Sequence, residues 1–218
     1  MSFEIKWYSK ALANLMGGES GADAFAVDFL SDTIKLALLD NTHTPGLDTH
    51  EVFSDVEADE IAGTGYSAGG ATLGTKTITV TPANSWSTQW QANTAYAVGD
   101  VVRPTAGNGH LYMCIVAGTS HGSVQPTWPT VSGQIVVDSG VTWAEVGRAI
   151  TQIDAADPSW ANSTLSAVRY CVGYKSTGTS STSPLLFLGD FGADQQTNNG
   201  TFAVQFAALG ILVSFVKS

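Results

Sequence analysis

The feature that most restricts the fold is a series of short strand-like runs separated by turn-forming clusters. The run TITVTP alternates Thr with Ile and Val, and the later runs TLSAVRYCVGY and SPLLFLGDFG are followed by STGTSSTS and ADQQTNNG. Runs of this kind between Gly, Ser, Asn and Asp clusters favour an antiparallel sandwich or barrel. We therefore expect a mainly β fold with an antiparallel, β-sandwich or jelly-roll-like base.

One helical pattern lies at the N-terminus. An apolar residue recurs there every four positions, at Phe3, Trp7, Ala11 and Leu15. This spacing is the apolar stripe of a short amphipathic helix. Gly17 and Gly18 follow it as a stop signal. The sequence therefore predicts one short N-terminal helix.

The middle of the chain differs in composition from its flanks. Residues 86–149 hold four of the six tryptophans, which are Trp86, Trp90, Trp128 and Trp143. Without this block, TKTITVTPANS would continue directly into ITQIDAADPSWANSTLSAVRY, which is typical of two strands and an ordinary connection. We therefore predict a discontinuous β base formed by residues 1–85 and 150–218, with a small β module inserted at residues 86–149.

The last strand-like run, ILVSFV, is apolar almost throughout. A strand of this composition exposes a hydrogen-bonding edge and apolar faces that need cover. We therefore expect a homo-oligomer, most simply a trimer or another ring. The residues predicted to contact other copies or the rest of an assembly are Trp7, Tyr8 and Phe215.

Charge excludes one class of partner. The formal net charge is −10 and only nine residues are Lys or Arg, so the chain lacks the cations that nucleic-acid phosphates require. The opening MSFEIKWYSK carries charges of both signs, unlike a secretory signal segment. No apolar run approaches the roughly 18 residues of a membrane span. We expect no nucleic-acid partner, no membrane insertion and synthesis in the cytoplasm.

The two cysteines, Cys114 and Cys171, lie far apart in the strand-like runs LYMCIV and VRYCVGY. Buried free thiols are the favoured interpretation, and a disulfide between them is the alternative.

Catalytic and metal-binding patterns are weak. The segment THTPGLDTHE offers His43, His50 and Glu51, but it lacks the helical i, i+4 spacing that presents two ligands on one face. No Ser lies in a G-x-S-x-G nucleophile elbow, and nothing singles out a pair of carboxylates for glycan cleavage. We therefore predict a protein that is not an enzyme, with no metal site and no cofactor.

The middle block resembles the small carbohydrate-binding modules of bacterial chitinases and related modules in tailed-phage structural proteins. The resemblance is carried by Trp90, Tyr96, Gly99, Asp100, Val102, Tyr112, Pro126, Trp128 and Trp143. It implies glycan contact through exposed aromatic rings. Trp128, between Pro126 and Pro129, is the first candidate, with Tyr112 and Trp90 as further ones. The alternative is that the rings form the core of the module, as we expect for Tyr96 and Trp143.

The outer segments look like a widespread family of tailed-bacteriophage virion proteins. The similar stretches are YSKALANLMGGE, DTIKLALLDNTHTPGLDTHEVFSDV, EIAGTGYSAGGATL and LLFLGDFGADQQTNNGTFAVQF. The resemblance implies a virion structural protein that binds the major capsid protein or tail proteins. We expect a capsid-decorating protein whose module projects outward toward host surface glycans. The alternatives are a tail or baseplate receptor-binding component and a polysaccharide depolymerase.

Overall fold

The computed structural model describes residues 3–17 and 25–217. The fold is mainly β, with antiparallel sheets and one short helix, α1 (Ala11–Leu15), as the sequence predicts. The strands are β1 (Glu4–Trp7), β2 (Ile34–Asp40), β3 (Ala71–Thr72), β4 (Thr77–Pro82), β5 (Ala95–Tyr96), β6 (Val101–Val102), β7 (Leu111–Val116), β8 (Gly118–Thr119), β9 (Ile135–Asp138), β10 (Val141–Gly147), β11 (Ala149–Asp154), β12 (Ser159–Lys175), β13 (Leu185–Ala203) and β14 (Leu212–Val216). Single 3₁₀ turns lie at Phe53–Asp55, Glu57–Asp59, Ala83–Ser85 and Ser180–Thr182.

The chain divides into two compact units. The first unit is Met1–Thr77 with Asp154–Ile211, and the second unit is Ile78–Ile153 with Leu212–Ser218. Both units are therefore built from segments that are distant in sequence.

The first unit contains a five-stranded sheet in the order β1-β13-β12-β2-β3. Its centre is the long antiparallel pair β12 and β13, in which Cys171 lies opposite Gly189 and, on the other side, opposite Leu38 of β2. The apolar run of β2 is almost fully buried, as expected for a central strand. The connection between β2 and β3 supplies Phe53, whose ring stacks on Tyr174 of β12 at 4.2 Å.

The predicted N-terminal helix is wrong in its first half. Residues Glu4–Trp7 form the edge strand β1, paired antiparallel with β13, and the helix covers only Ala11–Leu15. Phe3 and Trp7 are four positions apart, but with Ile5 between them they also alternate with charged residues, which is the period of a strand. Phe3 lies on β13 because Gly189 has no side chain: a Cβ there would be 2.5 Å from the Phe3 ring. Gly17 follows the helix with φ +108°, and Gly18 lies outside the described residues.

The polar segment ADQQTNNG, expected to be a turn, is part of β13. It pairs with β12 through several register shifts, for example between Leu165 and Val168, and Asn199 has a positive φ of 48°. These polar side chains are mostly exposed, so this part of the strand is held by backbone pairing and not by an apolar face. Turn-forming composition therefore did not distinguish a solvated strand from a loop.

The second unit contains three small sheets. The strand orders are β6-β7-β10-β9, β14-β11-β4 and the pair β5-β8. One apolar cluster gathers around Trp90, Tyr112 and Trp143, and another around Leu111 and Ile150. These clusters are the core of the unit.

The unit boundaries differ from the predicted ones. The inserted segment covers Ile78–Ile153 and not residues 86–149, and the second unit also includes Leu212–Ser218. The prediction placed residues 150–218 in the base, whereas β14 pairs antiparallel with β11, with Ile150 opposite Phe215, in the second unit. The apolar last strand needs a neighbouring strand, and β11, which follows β10 after one residue, supplies it. The strand β4 is the third strand of the same sheet.

Two further predictions concern membrane insertion and the thiols. No helix among the described residues is long and apolar enough to cross a membrane. Cys114 and Cys171 are free and buried, which confirms the favoured interpretation. Burial raises the pKa of both thiols.

Candidate functional site

Two of the three residues predicted to contact a glycan are buried in the core of the second unit. Trp90 is 6% exposed and Tyr112 is fully buried. The Tyr112 hydroxyl donates to the Pro129 carbonyl at 2.6 Å and accepts from the Asn108 amide at 2.7 Å. A small unit with few other large apolar residues uses these rings to fill its own core. As placed here, Trp90 and Tyr112 cannot form a surface platform, which differs from the prediction.

A buried carboxylate organises this aromatic core. Asp138, at the end of β9, is 3% exposed, and its Oδ2 accepts the indole N–H of Trp90 at 2.7 Å and that of Trp143 at 3.3 Å. Its Oδ1 accepts the backbone N–H of His121 at 3.0 Å. The sequence analysis did not single out Asp138. The available signal was an acidic residue that ends the apolar strand IVVD directly before a Ser-Gly turn.

Trp128 is the predicted glycan residue that keeps solvent access. Its half-buried ring lies 4.4 Å from the ring of Tyr112 and 5.9 Å from that of Trp143, measured between centroids. The indole N–H donates to Gln125 Oε1 at 3.1 Å. One partly exposed indole is therefore available for stacking. Tyr96 and Trp143 are buried, which confirms the expectation that they belong to the core.

A second buried polar pair lies in the same unit. His110 Nδ1 is 2.8 Å from Glu145 Oε1, and the two side chains are 4% and 0% exposed. Both side chains are buried, so the pair joins the residue before β7 to β10 inside the unit.

The three residues predicted to make assembly contacts differ in burial. Tyr8 is 3% exposed in the core of the first unit, where burial raises the pKa of its hydroxyl, so it cannot contact a partner. Trp7 is half-buried on the edge strand β1, with its ring 5.7 Å from that of Phe187. Phe215 is half-buried on β14, at the edge of the second unit's three-stranded sheet.

A groove of about 390 Å³ lies beside β14. The groove is lined by Ser132, Gly133, Glu145, Val146, Val213, Ser214, Phe215 and Lys217. In its sheet β14 has a neighbour on one side, β11, and no strand among the described residues pairs with its other edge. Backbone groups of an unpaired edge, next to an apolar wall, are suited to an added β-strand.

The strand β4 forms the opposite edge of the same sheet. Its side chains are exposed except for the half-buried Thr81, and the two apolar ones on one face are Ile78, 43% exposed, and Val80, 60% exposed. The strand TITVTP carries no charge that would discourage pairing with another strand. The three-stranded sheet is therefore open at both edges, β4 and β14.

The first unit has a cavity of about 380 Å³ beside the stacked rings of Phe53 and Tyr174. The two rings are nearly parallel, at 5°, and both are buried. Burial, with Glu60 and Glu57 nearby, raises the pKa of Tyr174 to about 12, and its hydroxyl donates to the Gly69 carbonyl at 2.8 Å. Neither ring therefore offers an open face for a sugar.

Comparisons of the chain with protein-family models, curated proteins and solved structures find no match. The resemblances to phage virion proteins and to carbohydrate-binding modules therefore stay predictions from the sequence. The two open edges of the three-stranded sheet are the structural feature on which a functional assignment can rest.

Proposed function

We propose that the chain is a non-enzymatic structural protein that assembles into a ring, as a capsid-decorating component of a phage virion. One observation supports the assembly: β4 and β14 are the two outer strands of one sheet, and neither has a second paired strand within residues 3–17 and 25–217. Natural proteins normally shield such edges, and copies of the same chain are the simplest cover for them.

In the proposed assembly, β4 of one copy adds to β14 of the next. The two strands are of similar length, with six and five residues. Ile78 and Val80 would lie against the apolar wall of the groove beside Phe215, while backbone groups pair along the edge. Because the two contact surfaces differ, the contact is heterologous, and such contacts form rings of three or more copies where the rotation between copies closes. In this arrangement Phe215 contributes to the contact between copies.

Light scattering after size-exclusion chromatography tests the assembly. The wild-type chain is expected at three or more times 22.7 kDa, and Val80→Lys is expected to be monomeric, because a charge on an edge strand opposes pairing. Val137→Lys is the matched control, since Val137 is 67% exposed on the edge strand β9 of another sheet. A monomeric wild type, or dissociation by Val137→Lys and not by Val80→Lys, would contradict the proposed contact.

The virion assignment is supported by the resemblance of the outer segments to tailed-phage proteins. The major capsid protein is the proposed partner, and tail proteins are the alternative. An antibody against the chain, imaged on purified particles, is expected to label the surface of the head. Labelling of the tail tip would favour a receptor-binding component, and particles without the chain would exclude both roles.

Glycan contact is a second candidate function, favoured by the partial exposure of Trp128 beside Tyr112. We expect Trp128→Ala to abolish retention on host polysaccharide, whereas Trp86→Ala, which removes another half-buried indole of the second unit, is expected to retain it. Equal retention of both variants would remove Trp128 from consideration. Release of soluble reducing ends by the wild type would instead indicate a depolymerase.

A further inference from the structure

The chain contains two Asn-Gly pairs, Asn108–Gly109 and Asn199–Gly200. Such a pair can cyclise without an enzyme, because glycine has no Cβ to obstruct the attack of its backbone nitrogen on the side-chain carbonyl carbon of the asparagine. In a folded protein the reaction depends on how firmly the structure holds these two groups. Both asparagines are exposed, so their hydrogen bonds decide which pair reacts.

The structure holds both reacting groups of the first pair. The backbone N–H of Gly109 donates to Asn84 Oδ1 at 3.0 Å. The side-chain amide of Asn108 donates to the Tyr112 hydroxyl at 2.7 Å, and its Oδ1 accepts the backbone N–H of His110 at 3.0 Å. The attack removes the proton from the Gly109 nitrogen, so the bond to Asn84 must break first. Asn108 is therefore protected.

The side chain of Asn199 is not held in this way. It forms no hydrogen bond in the described parts of the chain, whereas the backbone N–H of the same residue donates to Thr164 Oγ1 at 3.0 Å. The next residue, Gly200, has open space beside it, since an added Cβ would lie no closer than 3.9 Å to the Asn198 carbonyl oxygen. Asn198 is also exposed, but the residue after it has a Cβ and a hydrogen-bonded N–H.

The backbone at Asn199 is irregular, although the residue belongs to β13. In β12 a register shift lies between Ser163 and Leu165. Thr164 therefore faces two residues of β13, Asn198 and Asn199, which is a β-bulge. Asn199 has a φ of 48°, in the left-handed region that asparagine adopts more readily than most residues. The bulge thus places Asn199 outside the regular ladder that holds a strand residue extended.

We propose that Asn199 is a site of spontaneous deamidation, through a succinimide ring formed with Gly200. The Gly200 nitrogen loses its proton and bonds to Asn199 Cγ, and the side-chain nitrogen leaves as ammonia. Water then opens the ring at either of its two carbonyl groups. One opening gives aspartate, and the other gives isoaspartate, in which the main chain runs through the former side chain. One water is consumed for each ammonia released, and the chain, whose net charge is −10, gains one negative charge.

Peptide mass spectrometry tests the proposal on the full chain, stored folded at mildly alkaline pH and then digested. The conversion of each asparagine is followed over time, and isoaspartate is identified by methylation with an isoaspartyl methyltransferase. Asn199 is expected to convert at least about tenfold faster than Asn108, because the hydrogen bonds around Asn108 must break before its ring can close. In concentrated urea, where neither asparagine is held, the two rates are expected to approach each other.

Two variants separate the effect of the glycine from that of the hydrogen bonds. Gly200→Ala keeps the asparagine and fits the open space, but its Cβ obstructs the attacking nitrogen, so conversion of Asn199 is expected to be nearly abolished. Asn84→Ala removes the acceptor of the Gly109 N–H and is expected to raise the conversion of Asn108 while that of Asn199 stays unchanged.

Equal conversion of Asn199 and Asn108 in the folded wild type would overturn the proposal. Undiminished conversion of Asn199 in Gly200→Ala would also overturn it, because the succinimide route requires the glycine nitrogen to attack freely. A preference for Asn199 that persists unchanged in urea would assign the difference to the local sequence and refute the role of the fold.

Discussion

Replacing Asp138 with Ala removes the acceptor that two buried indoles share. The N–H groups of Trp90 and Trp143 would lose their partner inside the core of the second unit, while the backbone N–H of His121 can turn to solvent. Hydrogen bonds to a charged group contribute about 1.5–3 kcal/mol each, and a buried donor left unpaired costs about 1–3 kcal/mol. Because the two indoles share one carboxylate, their effects do not add fully. We expect a loss of about 3–5 kcal/mol in the unfolding free energy of the second unit.

Urea unfolding followed by tryptophan fluorescence measures this loss, since four of the six tryptophans lie in the second unit. Asp138→Asn retains one acceptor oxygen and is expected to give an intermediate loss. Asp100→Ala is the matched control: Asp100 is exposed and its Oδ2 accepts the backbone N–H of Ala97, so the expected loss is about 1 kcal/mol or less. If the loss of unfolding free energy caused by Asp138→Ala is within about 0.5 kcal/mol of the loss caused by Asp100→Ala, Asp138 does not organise the aromatic core.

Two other perturbations test the first unit. A Cβ on Gly173 would lie 2.2 Å from the buried ring of Phe187, so Gly173→Ala should lower the unfolding free energy by about 1–3 kcal/mol. Gly74→Ala is the control and should not lower it, because the space around Gly74 is open. Equal changes in the melting temperature of the two variants would contradict this expectation. Burial raises the pKa of Glu60 above 4.5, although the Tyr66 hydroxyl donates to its carboxylate. The folded-state pKa thus exceeds the unfolded one, so the stability that Glu60 contributes is complete at low pH and is lost as pH rises through the folded pKa. In urea titrations, the unfolding free energy of Glu60→Gln should therefore rise relative to that of the wild type as the pH is raised above about 4. A difference between the two free energies that does not change with pH would contradict this.

The strand content could be predicted from period-two patterns, and the alternation in TITVTP correctly indicated β4. The same pattern carries no information on which strands are neighbours, so the pairing of β14 with β11 was missed. In the N-terminal segment, the four-residue spacing is compatible with a helix and with a strand. Residues up to Trp7 form a strand because they pair with β13.

The candidate sites were harder to predict than the fold. Composition identified the aromatic residues of the second unit. It did not reveal that Tyr112 is buried, because that depends on which other side chains are available to fill the core. The open edges of β4 and β14 became visible only when the strand order was known.

Disulfide cross-linking tests the central claim, the contact between β4 and β14 of neighbouring copies, most directly. Thr77→Cys or Thr79→Cys is combined with Ser214→Cys or Val216→Cys, because these exposed positions lie on the strand faces opposite Ile78, Val80 and Phe215. Within one chain β11 separates the two strands, which places them about 9–10 Å apart, beyond the roughly 7 Å limit between the Cα atoms of a disulfide. The native thiols are buried and do not interfere.

Any disulfide between the introduced cysteines must therefore join two copies. On a non-reducing gel, the account predicts a series of bands at multiples of 22.7 kDa that ends at the closed ring, and no cross-linking when either cysteine is present alone. A single monomer band from all four double variants would contradict the account. Dimers formed by Thr79→Cys alone would also contradict it, because they would place β4 against β4.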